Sequence, residues 1–214
     1  TSWNALAGIA LLHAYRYTNS IESRKLSLEI FSSLLKKHLN NDVLAHSSTE
    51  DRIQNKGFLE DYASMLLFAV YMYEETNENV EIIKKLYKGI KKFQKNNKWY
   101  ENLNSDFVSV PAQAYDHPVP SSVSLAELAV VRTKILLNIN YINESYKQPL
   151  ENDFYNLMVL VKNSYFHIIH STEKINWNLL PLNSIQIKSS INQDCYKHKC
   201  ILYKDNGELI KSFR

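Results

Sequence analysis

A chain of 214 residues with a 45% apolar share carries enough material for one domain with a proper core, and its 4 glycines and 5 prolines are too few for a sandwich or barrel of many tight turns. The net charge of +3 comes from 25 basic and 22 acidic residues, and the stretch from Lys188 to Arg214 accounts for all of it, which argues against a nucleic-acid binder with its larger, clustered basic excess. No apolar run approaches the ~18 residues that a membrane span needs.

A helix is expected over residues 2–17, capped by Ser2, with Leu6, Ile9, Ala10, His13 and Tyr17 at helical spacing. An amphipathic helix follows over 21–39, with Leu26, Ile30, Leu34 and Leu35 on one face and Lys36, Lys37 and His38 at the end that suits cations. Residues 40–56 are polar and read as a loop with a short extended piece over 43–46. The third helix, 58–75, is apolar nearly all round and carries Glu60 and Asp61 in its first turn, where the helix dipole favours negative charge. An amphipathic helix over 78–94 comes next, then extended segments at 99–104 and 107–115. Ser121 or Ser122 caps a fifth helix to about residue 137, and a sixth is expected over 150–169. Beyond Trp177 the pattern turns to strands: 185–188 alternates, 195–203 reads as a strand, and Asp205-Asn206-Gly207 as a hairpin turn.

The helices pair. Each pair opens with a nearly all-apolar helix, starting near Ser2, Phe58 and Ser121, and continues with an amphipathic one. A buried helix followed by a surface helix, repeated, is the pattern of a curved array with inner and outer layers. The absence of a signal peptide points to a cytoplasmic protein without a membrane partner, and the abrupt helical start at Thr1 points to a piece of something longer.

Three patches carry a resemblance: TSWNALAGIALLHAY at the start, GFLEDYASMLLFAVYMYEET at 57–76, and DHPVPSSVSLAELAVVRT at 116–133. In this order they resemble the thioredoxin-domain-containing family that includes spermatogenesis-associated protein and its bacterial relatives. In that family a thioredoxin-like domain precedes an α/α toroid of six hairpins, similar to glycosidases and to N-acylglucosamine 2-epimerase. The resemblance implies an all-α fold, about three hairpins forming half of a six-hairpin glycosidase-like toroid over residues 1–172, with a short β-like tail over 173–214. It implies partners in the thioredoxin-like domain and the first half of the toroid. Ser122-Val123 stands where the family has Gly-Asn, which removes a side-chain amide.

Under the glycosidase-like reading, two carboxyls flank the scissile bond, ~5–5.5 Å apart for retention or ~6.5–9.5 Å for inversion. Adjacent helical residues point about 100° apart, so Glu60 and Asp61 cannot both face one sugar; the expected pair is Asp61 with Asp116. His117 is the candidate base for an epimerase-like proton abstraction. Trp3, Asn4, Glu60, Tyr62, Tyr115 and Ser121 are expected to line a sugar pocket at the same rim. The bland alternatives are that Asp61 braces a neighbouring helix end, that Asp116 holds a turn before Pro118, and that the aromatics are packing. Cys195 and Cys200 match the family's Cys-x4-Cys and imply a redox pair; with His198 they fall short of the four ligands of structural zinc, so neither metal nor cofactor is expected. The competing function is a non-enzymatic scaffold that packs on the thioredoxin-like domain in redox quality control.

Overall fold

The computed structural model describes residues 1–49, 52–103, 108–137, 139, 167–170, 176–180, 184–187, 199–203 and 209–213. These form a mostly helical protein with short strands. The described α-helices are α1 (Ser2–Thr18), α2 (Ile21–His38), α3 (Leu59–Thr76), α4 (Val80–Ile90) and α5 (Ser122–Leu136). Helix α3 packs against both α1 and α5; α2 covers α1, and α4 covers α3. Two layers result, as the alternation of all-apolar and amphipathic helices requires.

The near-continuous apolar run of α3 is explained by that position. Residues Tyr62 to Met72 are all buried, because neighbours cover the helix on almost every side. Two glycines permit the closest approaches. A Cβ on Gly8 of α1 would lie 2.3 Å from the Phe68 ring, and one on Gly89 of α4 would lie 2.4 Å from the Tyr62 ring. Neither ring can retreat within the packed interior. Gly89→Ala is therefore expected to lower stability by about 1–3 kcal/mol despite its better helix propensity, as overpacking does; a urea midpoint at or above wild type would refute this.

Helix ends follow local chemistry. Ser20 and Ser121 cap α2 and α5 through their hydroxyls, which accept from the Ser23 and Ser124 amides. Asn19 and Asn77 close α1 and α3 in the left-handed region. The expected cap at Ser2 does not form: Thr1 holds the N-cap position without a side-chain cap bond, and the Ser2 amide donates to Asp61 instead.

The segment expected to be a loop with a short extended piece over 43–46 is a small sheet, and that piece is the first part of its middle strand. Strands β1 (Leu39–Asn40), β2 (Val43–Thr49) and β3 (Arg52–Lys56) pair antiparallel in that order. Asn41 and Asp42, both at positive φ, make the tight turn from β1 to β2, which side chains of this type tolerate. The same device, Asn96-Asn97, joins β4 (Gln94–Lys95) to β5 (Lys98–Trp99) after a 3-10 turn at Lys91–Phe93. Past β5, Tyr100 bridges to Pro111, and the amide of Ala112 donates to the Trp99 carbonyl.

Downstream, most of the sixth helix expected over 150–169 lies outside the described residues, but its last part is corrected: β6 (His167–His170) is a strand. It sits inside a four-stranded sheet of order β7-β6-β8-β9, with β7 (Ser184–Ile187), β8 (Lys199–Tyr203) and β9 (Leu209–Phe213). Strand β6 runs parallel to β7 and β8, whereas β8 and β9 pair antiparallel. The tail is thus a mixed sheet that begins before residue 173, larger than a short β-like tail. A parallel pair needs its residues brought together by a crossover, which local alternation does not reveal. Strand β7 packs on α3 and α5, and a second small core of Val131, Ile135, Ile168 and Ile185 forms there.

Candidate functional site

The N-terminal ends of α1, α3 and α5 are tied into one rim by hydrogen bonds. Asp61, fully buried, is the first tie. Its Oδ1 accepts from the Ser2 amide at 3.1 Å, and its Oδ2 accepts from the Phe58 amide at 2.9 Å. Backbone donors left over at two helix starts are thereby satisfied by one carboxylate. The Leu59 amide donates to the Glu101 carbonyl, and the Ser122 hydroxyl donates to Glu101 Oε1 at 2.7 Å, which joins α3 to α5. Asp116 Oδ1 accepts from the Ser121 amide at 2.7 Å, ahead of the start of α5.

A residue that the sequence reading treated only as part of an extended piece completes the site. His46, on β2, has Nδ1 2.8 Å from Asp61 Oδ2, and its side chain is 37% exposed while Asp61 is covered. Its other ring nitrogen has no hydrogen-bond partner among the described residues. The Phe58 ring stands edge-on to it at 4.9 Å. A buried carboxylate that fixes one imidazole nitrogen leaves the other as a positioned base or acid. Glu60 is adjacent and half-buried; burial chiefly, and then the neighbouring Asp61 charge, raise its pKa.

The remaining expected site residues divide. Trp3 is 80% exposed, and Asn4, Tyr115 and His117 are also exposed, with the Tyr115 and His117 rings edge-to-face at 5.0 Å. Tyr62 faces the core, not the rim: it is buried against Phe93, and its hydroxyl accepts from the Leu44 amide at 2.9 Å. Ser121 serves as the α5 cap. Cys195 lies outside the described residues; Cys200 lies in β8, where the backbone pairs it with Ile168 and Phe213.

His46, Glu60 and Asp61 bring ligand-type atoms within 4.8 Å of one another. Both Asp61 oxygens already accept N–H bonds, and the site faces the positive ends of two helices, so it suits proton transfer better than a cation.

A second polar centre lies at the other end of the same helices. Glu74 accepts from Arg132 Nη2 at 2.6 Å through Oε1. Its Oε2 is 3.2 Å from Arg16 Nη2, an ion pair off hydrogen-bond alignment, and accepts no hydrogen bond among the described residues. Arg16 also donates to the Tyr71 carbonyl and lies 4.0 Å over the Trp177 ring; Arg132 donates to the Ser184 carbonyl and lies 4.4 Å over Tyr71. Arg16, Glu74 and Arg132 are equivalent positions: 58 residues separate Arg132 from Glu74, and Glu74 from Arg16. The repeat extends to Tyr15, Thr18 and Asn19 against Tyr73, Thr76 and Asn77, a signal present in the sequence.

Beside this centre, burial and the two guanidiniums lower the His13 pKa to about 4. Between that value and its unfolded 6.5, the unfolded chain binds the extra proton. Stability is therefore complete above pH ~6.5 and falls as pH drops towards ~4, by up to about 3 kcal/mol. His13→Gln, which does not titrate, is expected to flatten that stretch of the denaturation-versus-pH curve; an unchanged slope would refute the assignment.

Compared with known proteins, the chain matches no family model and no curated protein. Among the described residues, no helix is long and apolar enough to cross a membrane.

Proposed function

We propose that this chain is a carbohydrate-active domain of the epimerase-like kind, the C-terminal half of a six-hairpin α/α toroid in a thioredoxin-domain-containing protein. The observation that carries the reading is the buried Asp61 holding His46 Nδ1 on an accessible rim. The three motifs quoted above and the paired layers of α1–α2 and α3–α4 support the toroid. The exposed aromatics Trp3 and Tyr115 supply faces on which a sugar ring stacks.

In this reading His46 Nε2 takes the proton from the carbon beside the carbonyl of an open-chain sugar. Glu60, whose protonated form burial favours, stands beside His46 as the group that donates a hydrogen bond to the oxygen that gains charge. A proton returned to the same face of that carbon regenerates the sugar. One delivered from solvent to the opposite face, with His46 later giving its proton to solvent, yields the epimer, so the step balances without a co-reactant. Asp61 does not touch the substrate; it positions His46. That role replaces the direct part expected for Asp61 and moves the base from His117 to His46.

The test is proton exchange in deuterated water. The chain is incubated with glucose, mannose, N-acetylglucosamine and N-acetylmannosamine, and loss of the C2 proton signal is followed by NMR. Exchange on one of these sugars is expected, reduced about 10²–10⁴-fold in His46→Gln. No exchange and no thermal shift with any of the four, from a folded chain, would sink the reading and favour the scaffold.

A further inference from the structure

The centre formed by Arg16, Glu74 and Arg132 stands apart from the rim. Asp61 and Glu74 are thirteen residues apart on α3, roughly 20 Å along the helix axis. Two guanidiniums and one carboxylate are buried there, with exposures of 4% for Arg16 and 1% for both Glu74 and Arg132. One positive charge is therefore left over among the described groups. His13 supplies no negative charge, and the Tyr17 hydroxyl, whose pKa burial raises, stays neutral. The ring faces of Tyr71 and Trp177 attract the arginines without cancelling the charge. Arg16 Nε and Arg132 Nε are both buried, and among the described residues neither has a hydrogen-bond acceptor.

An uncompensated buried charge and two idle charged donors are each costly, and all three are relieved by one added acceptor group with negative charge. Arginine forks match the planar or tetrahedral array of oxygens on a carboxylate or phosphate. We propose that the Arg16–Glu74–Arg132 centre binds a small free oxyanion, of the phosphate or carboxylate class, at the Nε edges of the guanidiniums that Glu74 leaves idle. His13 and Tyr17, both part-buried with ring centroids 6.4 Å apart, lie close enough to feel the charges of both arginines. Glu74 has a defined part in this arrangement: it balances one arginine and so sets the charge of the centre at a level that one monovalent anion neutralises. The proposal is independent of the epimerase-like reading, because none of the rim residues contributes to it.

Calorimetric titration of the whole chain at neutral pH tests it, with sodium phosphate and sodium acetate as separate probes and chloride holding ionic strength constant. One saturable site is expected for at least one probe. Arg16→Gln is expected to weaken that affinity by tenfold or more, and Glu74→Gln, which leaves two unbalanced guanidiniums, to tighten it. Arg16→Lys is the second variant, for the case that Arg16→Gln does not fold: it retains the charge without the fork and is expected to bind several-fold more weakly. No saturable binding of either probe up to about 20 mM, far weaker than a built site would show, overturns the proposal. So does binding that neither the Arg16 variants nor Glu74→Gln alter, which would place the ion on the surface.

Discussion

Glu74→Ala is expected to cost about 3–5 kcal/mol, enough to remove much of the stability of a typical domain, because two buried guanidiniums lose their shared counter-charge. The arginines have nowhere to go. Arg132 is held between the Tyr71 ring and the Ser184 carbonyl, and Arg16 between Tyr71 and Trp177. The same substitution loosens α1, α3, α5 and β7 together, since the triad and its carbonyl contacts tie all four elements. Replacing all three charges at once, Arg16→Met with Glu74→Leu and Arg132→Met, removes the desolvation cost along with the attraction. That triple variant is expected to fall within about 1–2 kcal/mol of wild type, on either side. Urea denaturation of both proteins checks the contrast. A Glu74→Ala loss below about 1 kcal/mol would mean that the arginines reach water or another acceptor more easily than their burial implies.

Asp61→Ala is expected to cost about 2–4 kcal/mol, through the amides of Ser2 and Phe58 and the ring of His46 that it leaves without their acceptor. Asp61→Asn keeps a carbonyl acceptor but loses one charge-assisted site, and should lie between wild type and alanine. Amide hydrogen exchange separates this brace from general destabilisation. The first turns of α1 and α3 should lose protection in Asp61→Ala well before the middle of α3 does. Uniform loss along both helices would show that Asp61 acts only on global stability. A double-mutant cycle with His46→Gln should be non-additive, because the two side chains share one hydrogen bond.

The helices were legible because each carries its own signal. The apolar run of α3, the serines that cap α2 and α5, and the asparagines that close α1 and α3 are local instructions that burial reinforces. The sheet of β1, β2 and β3 was legible only as the extended piece over 43–46, not as paired strands. The β2 segment Val43–Thr49 ends in His-Ser-Ser-Thr with no clean alternation, and its extended form depends on β3 and on contacts to the helix ends. His46 was missed for the same reason: nothing near it in sequence marks it, and its partner Asp61 lies fifteen residues away. The Arg16–Glu74–Arg132 triad was marked by equal spacing, but charges near helix ends ordinarily face water. Only packing of α1 and α5 on either side of α3 turns these three inward.

Tyr62 and Asp61 show where the line falls. Their places in the first turn of a buried helix were set by the sequence, since periodicity, the dipole and the acids in that turn all act within a few residues. Which way each side chain points was decided by the tertiary structure. Tyr62 turns inward because Gly89 of α4 leaves room for its ring and the Leu44 amide needs an acceptor. Asp61 turns to Ser2 and His46 because unpaired amides at two helix ends converge on it. Amphipathic pattern and capping are local energies that a sequence displays directly. The pairing of polar groups depends on which donors and acceptors folding leaves over, and that is known only once distant segments have met.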